Sequence, residues 1–313
     1  MQINTLSKFF SSSRSLRRMT ATIIDGKAIA QSVRNQVKSI ILDTKEKHPH
    51  FDPHMAMILV GSREDSALYV KTKDKAAKEK VGISITMEKL PESTSQSELL
   101  KTIQKFNEDK KIHGILVQMP LPSHIDEDCI IEAIDYQKDV DGFHPFNIGK
   151  MTKRTGRPLF LPCTPKGILH LIKSTQIEIS GKRAVVIGRS DLVGTPVASL
   201  LTAEDATVTL CHSKTRDLEK IVKEADIVVV AAGQPQLVKG DWIKSGAVVI
   251  DVGMSAVPDA SKKSGVRWVG DVEYEKAKEV ASFITPVPGG VGPMTVAMLL
   301  ENTAISAKYW LNK

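Results

Sequence analysis

The stretch VVIGRSDLVGTP, residues 185–196, restricts what this chain can fold into more than any other. An apolar run leads straight into Gly188, and Ser190 and Gly194 follow before a helix-forming segment. Glycine at a strand end permits a tight turn and close backbone approach to a ligand, and amides at the start of the next helix suit a pyrophosphate. Ser190 stands where the dinucleotide fingerprint has its middle glycine, and the last spacing is longer, so the motif alone is weak. Its context strengthens it. The strand-like runs ATVTLCH, DIVVVAAG and GAVVIDVG follow, with the helical DLEKIVKEA among them. Continuous apolar runs of this kind fit a parallel sheet covered by helices on both faces.

An earlier α/β series precedes this one. Helical periodicity spans residues 27–47, a strand covers 55–60, and a helix over about 65–80 stops at Gly82, a natural cap. The strand ISITMEKL, a helix through Asn107 and a strand over 114–120 complete the series. Residues 135–165, rich in Gly, Pro and charge, read as a crossing between domains, and an amphipathic helix is expected over 294–311. The fold class is therefore α/β with two domains, each a parallel-type sheet flanked by helices, the second of Rossmann type. The expected division is 21–163 for a substrate domain, 164–293 for a nucleotide domain, and a last helix, 294–313, packing back on the first.

Charge and cysteine usage narrow the function. The net charge is +7, but Lys8, Arg14, Arg17 and Arg18 in the first twenty residues account for four of it, leaving +3 elsewhere. That leader is Arg- and Ser-rich, lacks acids and has the composition of a mitochondrial transit peptide. The protein is then expected in mitochondria, or in the cytoplasm if Met19 is the start. Excess charge confined to a leader, without interleaved aromatics, argues against nucleic-acid binding. No run reaches the roughly 18 uncharged residues of a membrane helix. Cys129, Cys163 and Cys211 are too few and scattered for a disulfide framework, and no His or Cys spacing suggests a metal.

Several positions can carry chemistry. After the strand ATVTL comes CHSKTR, with no carboxylate until Asp217. NAD sites place an acid there for the ribose hydroxyls; Ser213, Lys214 and Arg189 instead suit the 2′-phosphate of NADP. Tyr69 and Lys73 stand at i and i+4 and share a helix face. VQMPLP puts Gln118 at a strand end, KDVDGFHP puts Asp139 and Asp141 in a loop, and PVPGGVGPMT is a loop through which a flat ligand can lie against backbone.

Taken together, the blocks DGKAIA, SREDSALYVKTK, GILVQMPLP, KDVDGFHP, PCTPKG, VIGRSDLVGTP, CHSKT, DVG and PVPGGVGPMT resemble the methylenetetrahydrofolate dehydrogenase/cyclohydrolase family over residues 21–313. The resemblance implies a homodimer in which a tetrahydrofolate derivative, polyglutamylated forms included, meets NADP in an interdomain cleft. It implies that Lys73 is the key catalytic lysine, that Tyr69 flanks the folate, that Gln118 tunes Lys73 and that Asp141 holds the pterin. Val70, Lys71, Thr72, Val117 and Met119 would complete that side. Pro288, Gly289, Gly290, Val291 and Gly292 would line the folate pocket, and Gly188, Arg189, Ser190 and Ser213 would contact NADP. Oxidation of the methylene bridge and hydrolysis of the resulting methenyl cation need no metal; a lysine kept partly neutral by burial or cationic neighbours can manage the protons. The synthetase region of the large cytosolic members is absent from the sequence, so that activity is not expected. Mitochondrial NAD-preferring members tend to carry arginine where this chain has Ser213. The rivals are such an NAD-preferring bifunctional enzyme, a monofunctional dehydrogenase, which would lack Lys73, and a non-catalytic folate-binding relative, which would have lost Lys73 or Gln118.

Overall fold

The structure, a computed structural model, describes residues 20–61, 64–262 and 265–313, without the side chains of residues 64–69, 79 and 80. The basic leader lies outside the described residues. The first described strand lies outside the half that follows it: β1 (Thr22–Ile23) runs parallel to β11 (Phe283–Ile284) on the edge of the larger sheet. The ranges expected from sequence do not anticipate this crossing. Asp25 then starts α1 (Gly26–Lys47), its carboxylate accepting from the amides of Lys27 and Ala28 at 3.0 and 3.1 Å. Ala30, Val33, Val37 and Ile41 recur at helical spacing and are buried.

The smaller sheet is parallel, in the order β3-β2-β4, with β2 (His54–Val60) at its centre between β3 (Ser84–Leu90) and β4 (Gly114–Val117). From Met55 to Val60 the central strand is buried. Between β2 and β3 lies α2 (Glu64–Lys75), which widens into a π-helical segment, Ala76–Val81. Gly82, at φ +81°, stops it and donates its amide to Ala77 at 2.9 Å, so the expected cap holds while the wider turn was not legible. α3 (Gln96–Glu108) opens on a capping box between Ser95 and Glu98 and buries Leu99, Ile103 and Phe106. β4 stops at Val117, short of the Pro120 expected, and the Met119–Pro120 bond is cis. The chain returns through α4 (Glu127–Ala133), α5 (Pro145–Thr152) and α6 (Cys163–Ser174), so the crossing contains a helix of its own.

The larger sheet has the order β1-β11-β8-β7-β5-β6, every pairing parallel, with β5 (Arg183–Ile187), β6 (Thr207–Cys211), β7 (Ile227–Val230) and β8 (Val248–Asp251). α7 (Gly194–Ala203) and α8 (Leu218–Lys223) connect its strands; the antiparallel pair β9 (Ser255–Pro258) and β10 (Val266–Val269) and the short α9 (Tyr274–Ala277) follow. β5 sits between β7 and β6, so the order reverses there and a crevice opens at the carboxyl ends of the strands. β7 and β8 are buried throughout, but β6 is an edge strand with Thr207, Thr209 and Leu210 exposed, against the expectation that every strand is covered on both faces.

α10 (Val291–Leu311) begins three residues earlier than expected, because Pro293 falls in the first turn, where no helical amide bond is lost. It packs against both α1 and α6. Its buried Met294, Leu299 and Leu300 join one apolar cluster with Val33 and Met57 from the first half and Val186 and Val229 from the second.

Candidate active site

Lys73 lies in the last turn of α2 and is only 6% exposed. Its Nζ donates to Gln118 Oε1 at 3.0 Å. Gln118 stands just past β4, where its amide donates to Ile58 O at 2.9 Å; its Nε2 donates to Met119 O at 2.7 Å, which turns Oε1 toward the lysine. Val117 and Val70 are buried, Met119 is half-buried, and Lys71 is exposed. Asp141 is half-buried in the loop after α4. Burial pushes its carboxyl up from the ordinary range, while the charge of Lys73 and a hydrogen bond from Cys163 pull it down. The structure thus brings Lys73, Gln118 and Asp141 together; the side chain of Tyr69 lies outside the described residues.

Asp139, the other acid of KDVDGF, serves differently. Its carboxylate accepts from the amides of Gly142, Phe143 and His144 at 3.0, 3.2 and 2.8 Å and from Asn147 Nδ2 at 3.0 Å. These bonds shape the loop that presents Asp141. Burial pushes the Asp139 carboxyl up to about 7 against those donors.

A cavity of about 620 Å³ opens beside this cluster, lined by all of residues 286–293, including Pro288, Gly289, Gly290, Val291 and Gly292. Lys27 and Arg34 of α1, Thr72, Ala76, Thr164 and the loop Asp251–Met254 form other parts of its wall. Lys73, Gln118 and Asp141 are not among the lining residues, but Thr72, next to Lys73 in the chain, and Thr164, next to Cys163, are. Thr164 Oγ1 and Thr295 Oγ1 share a hydrogen bond at 2.9 Å across it. Asp251 is held by the amides of Gly253, Asp271 and Val272 at 3.1, 2.8 and 2.9 Å, and burial pushes its carboxyl up to about 7.

The crevice at β5 is built from backbone. Gly188, at φ +114°, donates its amide to Cys211 O at 2.9 Å, which sets the glycine loop beside the CHSKT turn. A Cβ on Gly188 would meet Ala231 O at 2.1 Å, and one on Gly194 would meet Gly188 O at 2.0 Å. A cradle this close is what a dinucleotide's backbone contacts require. One expectation needs correcting. The first amides of α7 are not open to a pyrophosphate: those of Val193 and Gly194 go to Ser190 Oγ at 3.2 and 3.4 Å, and that of Thr195 to Ser190 O at 3.1 Å. Arg189, Ser190 and Ser213 are exposed at the crevice rim, and the Ser190 hydroxyl keeps its proton to donate.

Comparison with known proteins bears on the same segments. The model of the tetrahydrofolate dehydrogenase/cyclohydrolase catalytic domain matches residues 24–141, and that of the family's NAD(P)-binding domain matches residues 162–310. The chain belongs to the tetrahydrofolate dehydrogenase/cyclohydrolase family. It is 56% identical over 289 residues to bifunctional protein FolD 2 of Arabidopsis thaliana, covering 92% of this chain and 96% of that one. It is 52% identical over 286 residues to the mitochondrial C-1-tetrahydrofolate synthase of Saccharomyces cerevisiae, covering 91% of this chain but only 29% of that protein. Among solved structures, the Trypanosoma brucei methylenetetrahydrofolate dehydrogenase-cyclohydrolase complexed with NADP and an inhibitor superposes with a TM-score of 0.90 at 43% identity, covering 94% of this chain and 99% of that one. The names of its relatives include mitochondrial, chloroplastic and cytoplasmic proteins.

Within this member of the dehydrogenase/cyclohydrolase family, two residues of the cavity wall were given no role from sequence: Arg34, and Asp251 of the DVG block. Arg34 interrupts the apolar stripe of α1, and a charge on a buried helix face is a signal that could have found it. Asp251 closes the run VVID at a strand end, the position where open α/β sheets gather ligands.

Proposed function

We propose that this protein oxidises 5,10-methylenetetrahydrofolate to the 5,10-methenyl form with NADP and hydrolyses that product to 10-formyltetrahydrofolate. The observation that carries the reading is the buried Lys73–Gln118 hydrogen bond beside Asp141, next to a cavity with a glycine-rich wall. Gly188, Arg189, Ser190 and Ser213 would hold the dinucleotide, and the Gly188–Gly194 cradle fits one. When bound, NADP supplies the hydride acceptor.

The chain's own groups divide the remaining work. The loop at 288–292 lets the flat folate lie against backbone, and Asp141 accepts from the pterin's N–H groups. Gln118 Oε1, fixed by its bond to Met119, orients the Lys73 amine. In hydrolysis, water adds to the methenyl carbon and loses both its protons in turn as the formyl C=O forms; the C–N bond to one bridging nitrogen breaks as that nitrogen takes up one proton, and the other is released to solvent. Lys73 carries the proton between these two positions. Hydride transfer needs only alignment, so the two activities depend on Lys73 unequally. NADP is preferred because Arg189, Ser213 and Lys214 stand where an NAD site would carry an acid.

Replacing Lys73 by Met keeps the apolar stem and removes the amine. The expected outcome is a cyclohydrolase loss of about a hundredfold or more with part of the dehydrogenase activity retained. Near-normal methenyl hydrolysis by the purified variant would remove Lys73 from the mechanism.

A further inference from the structure

α1 carries a cation on the face it buries. Ala30, Val33, Val37 and Ile41 form its apolar side, yet Arg34 beside them is only 9% exposed. Its Nη2 donates to Gln31 Oε1 at 2.9 Å, and Gln31 Nε2 in turn donates to Asn35 Oδ1 at 2.8 Å, so the guanidinium is oriented. Its Nε is buried without a hydrogen-bond partner. Among the described residues no carboxylate pairs with it: the lysines of neighbouring elements have their acids, Lys78 with Asp74 and Lys166 with Glu301, while Arg34 has none. Arginine stays charged when buried, so such a site is unfavourable until an anion arrives. Burial alone accounts for the downward shift of this guanidinium, consistent with no anion nearby.

Arg34 faces the 620 Å³ cavity, and so does Lys27, seven residues earlier on the same helix face and about 10 Å along the axis. Among the described residues the one acid in the cavity wall, Asp251, is tied down by three amides. The pterin and aromatic spacer of a folate are neutral and need no pair of cations; its glutamyl end is anionic. We infer that Arg34, with the exposed Lys27, is a carboxylate-binding subsite that reads the glutamyl end of the substrate. This rests on the proposal that the cavity takes a folate. The other source of an anion in this cleft is a phosphate of the dinucleotide.

The test is equilibrium binding to the full chain, comparing wild type with Arg34→Met, Arg34→Lys and Lys27→Met. Two probes are used: tetrahydrofolate, and the tetrahydropteroyl methylamide, which keeps the ring system but has no carboxylate. Arg34→Met should weaken tetrahydrofolate about tenfold to a hundredfold, the loss expected for a charged hydrogen-bonded contact, and move the methylamide by less than about twofold. Arg34→Lys should restore part of the loss, and Lys27→Met should show a smaller loss on tetrahydrofolate alone. In steady state the variant should raise KM with kcat within about twofold, as for uniform binding. The melting midpoint of ligand-free Arg34→Met should rise, because an unpaired buried charge is gone. Equal losses on both probes with a lowered midpoint would make Arg34 structural and overturn the inference. NADP binding is titrated alongside as a control, and a loss confined to NADP would assign the anion to the dinucleotide and overturn it too. Equal wild-type affinity for the two probes would sink the subsite while leaving the folate reading intact; wild type that binds neither would sink that reading itself.

Discussion

Lys73, Gln118 and Asp141 are side chains delivered from three separate segments of the first half, whereas the crevice of the second half is shaped by backbone at Gly188, Gly194 and Ala231. The first arrangement depends on what each side chain is; the second depends on there being none. Evolutionary or engineered change should therefore harm them differently. Removing one functional group from the first half costs chemistry and leaves the fold. Adding one methyl to the second displaces backbone and costs ligand geometry at once.

The sharpest way to break this contrast is Gly188→Ala. Its Cβ would stand 2.1 Å from Ala231 O at a φ of +114°, so the loop must move. A shift on the order of 1 Å should lower dehydrogenase activity about a hundredfold. Cyclohydrolase activity, which draws on the other half, should stay within about threefold. A parallel fall in both activities would mean the halves are not separable in this way.

A second prediction uses the buried acids, one in each half. Asp139 and Asp251 both have folded-state values pushed up to about 7, above the ordinary value near 4. Between those values the native protein binds the extra protons, so stability should fall as pH rises from about 4 to about 7 and level off above. Asp139→Asn, which imitates the neutral acid, should remove roughly half of that slope in urea titrations. An unchanged slope would show that Asp139 is ionised across the range.

The smallest expected effect is at the rim. Arg189 is exposed, and a screened contact to a 2′-phosphate is worth about tenfold at most. Arg189→Ala should raise KM for NADP by about that factor and leave KM for NAD nearly unchanged. Equal changes would show that Arg189 does not read the 2′-phosphate.

How much of this was legible depended on which physical signal each feature leaves. The strand-to-glycine junction at Gly188 is written in composition, and the cradle agrees with it. β1 and β11 are two residues each, too short for any periodicity to show. KDVDGF offered Asp139 and Asp141 equally, and only the folded loop shows that the first ties amides while the second faces Lys73. Ser190 looked like a plain ligand contact, but a hydroxyl near a helix start also accepts amides, and here it does so. Lys73 at i+4 from Tyr69 and Gln118 at a strand end were only weak local signals; family resemblance gave them roles, and the 3.0 Å bond puts them in contact. Pro293 hid the true start of α10, since Gly-Pro reads as a loop while its ring is welcome in a first helical turn.

The burial of α10 against α1 and α6 bears on how the protein is made. A ribosome delivers α1 and the smaller sheet early, and the helix that covers them only after the entire nucleotide-binding half has emerged. Until then the apolar side of α1, with Val33, Val37 and Ile41, is covered only in part, by the Ala76–Val81 segment. The first half therefore cannot finish folding in the order of its synthesis. It must wait as an open, adhesive surface for contacts of very long sequence separation, the circumstance in which folding is slow and helper proteins matter most.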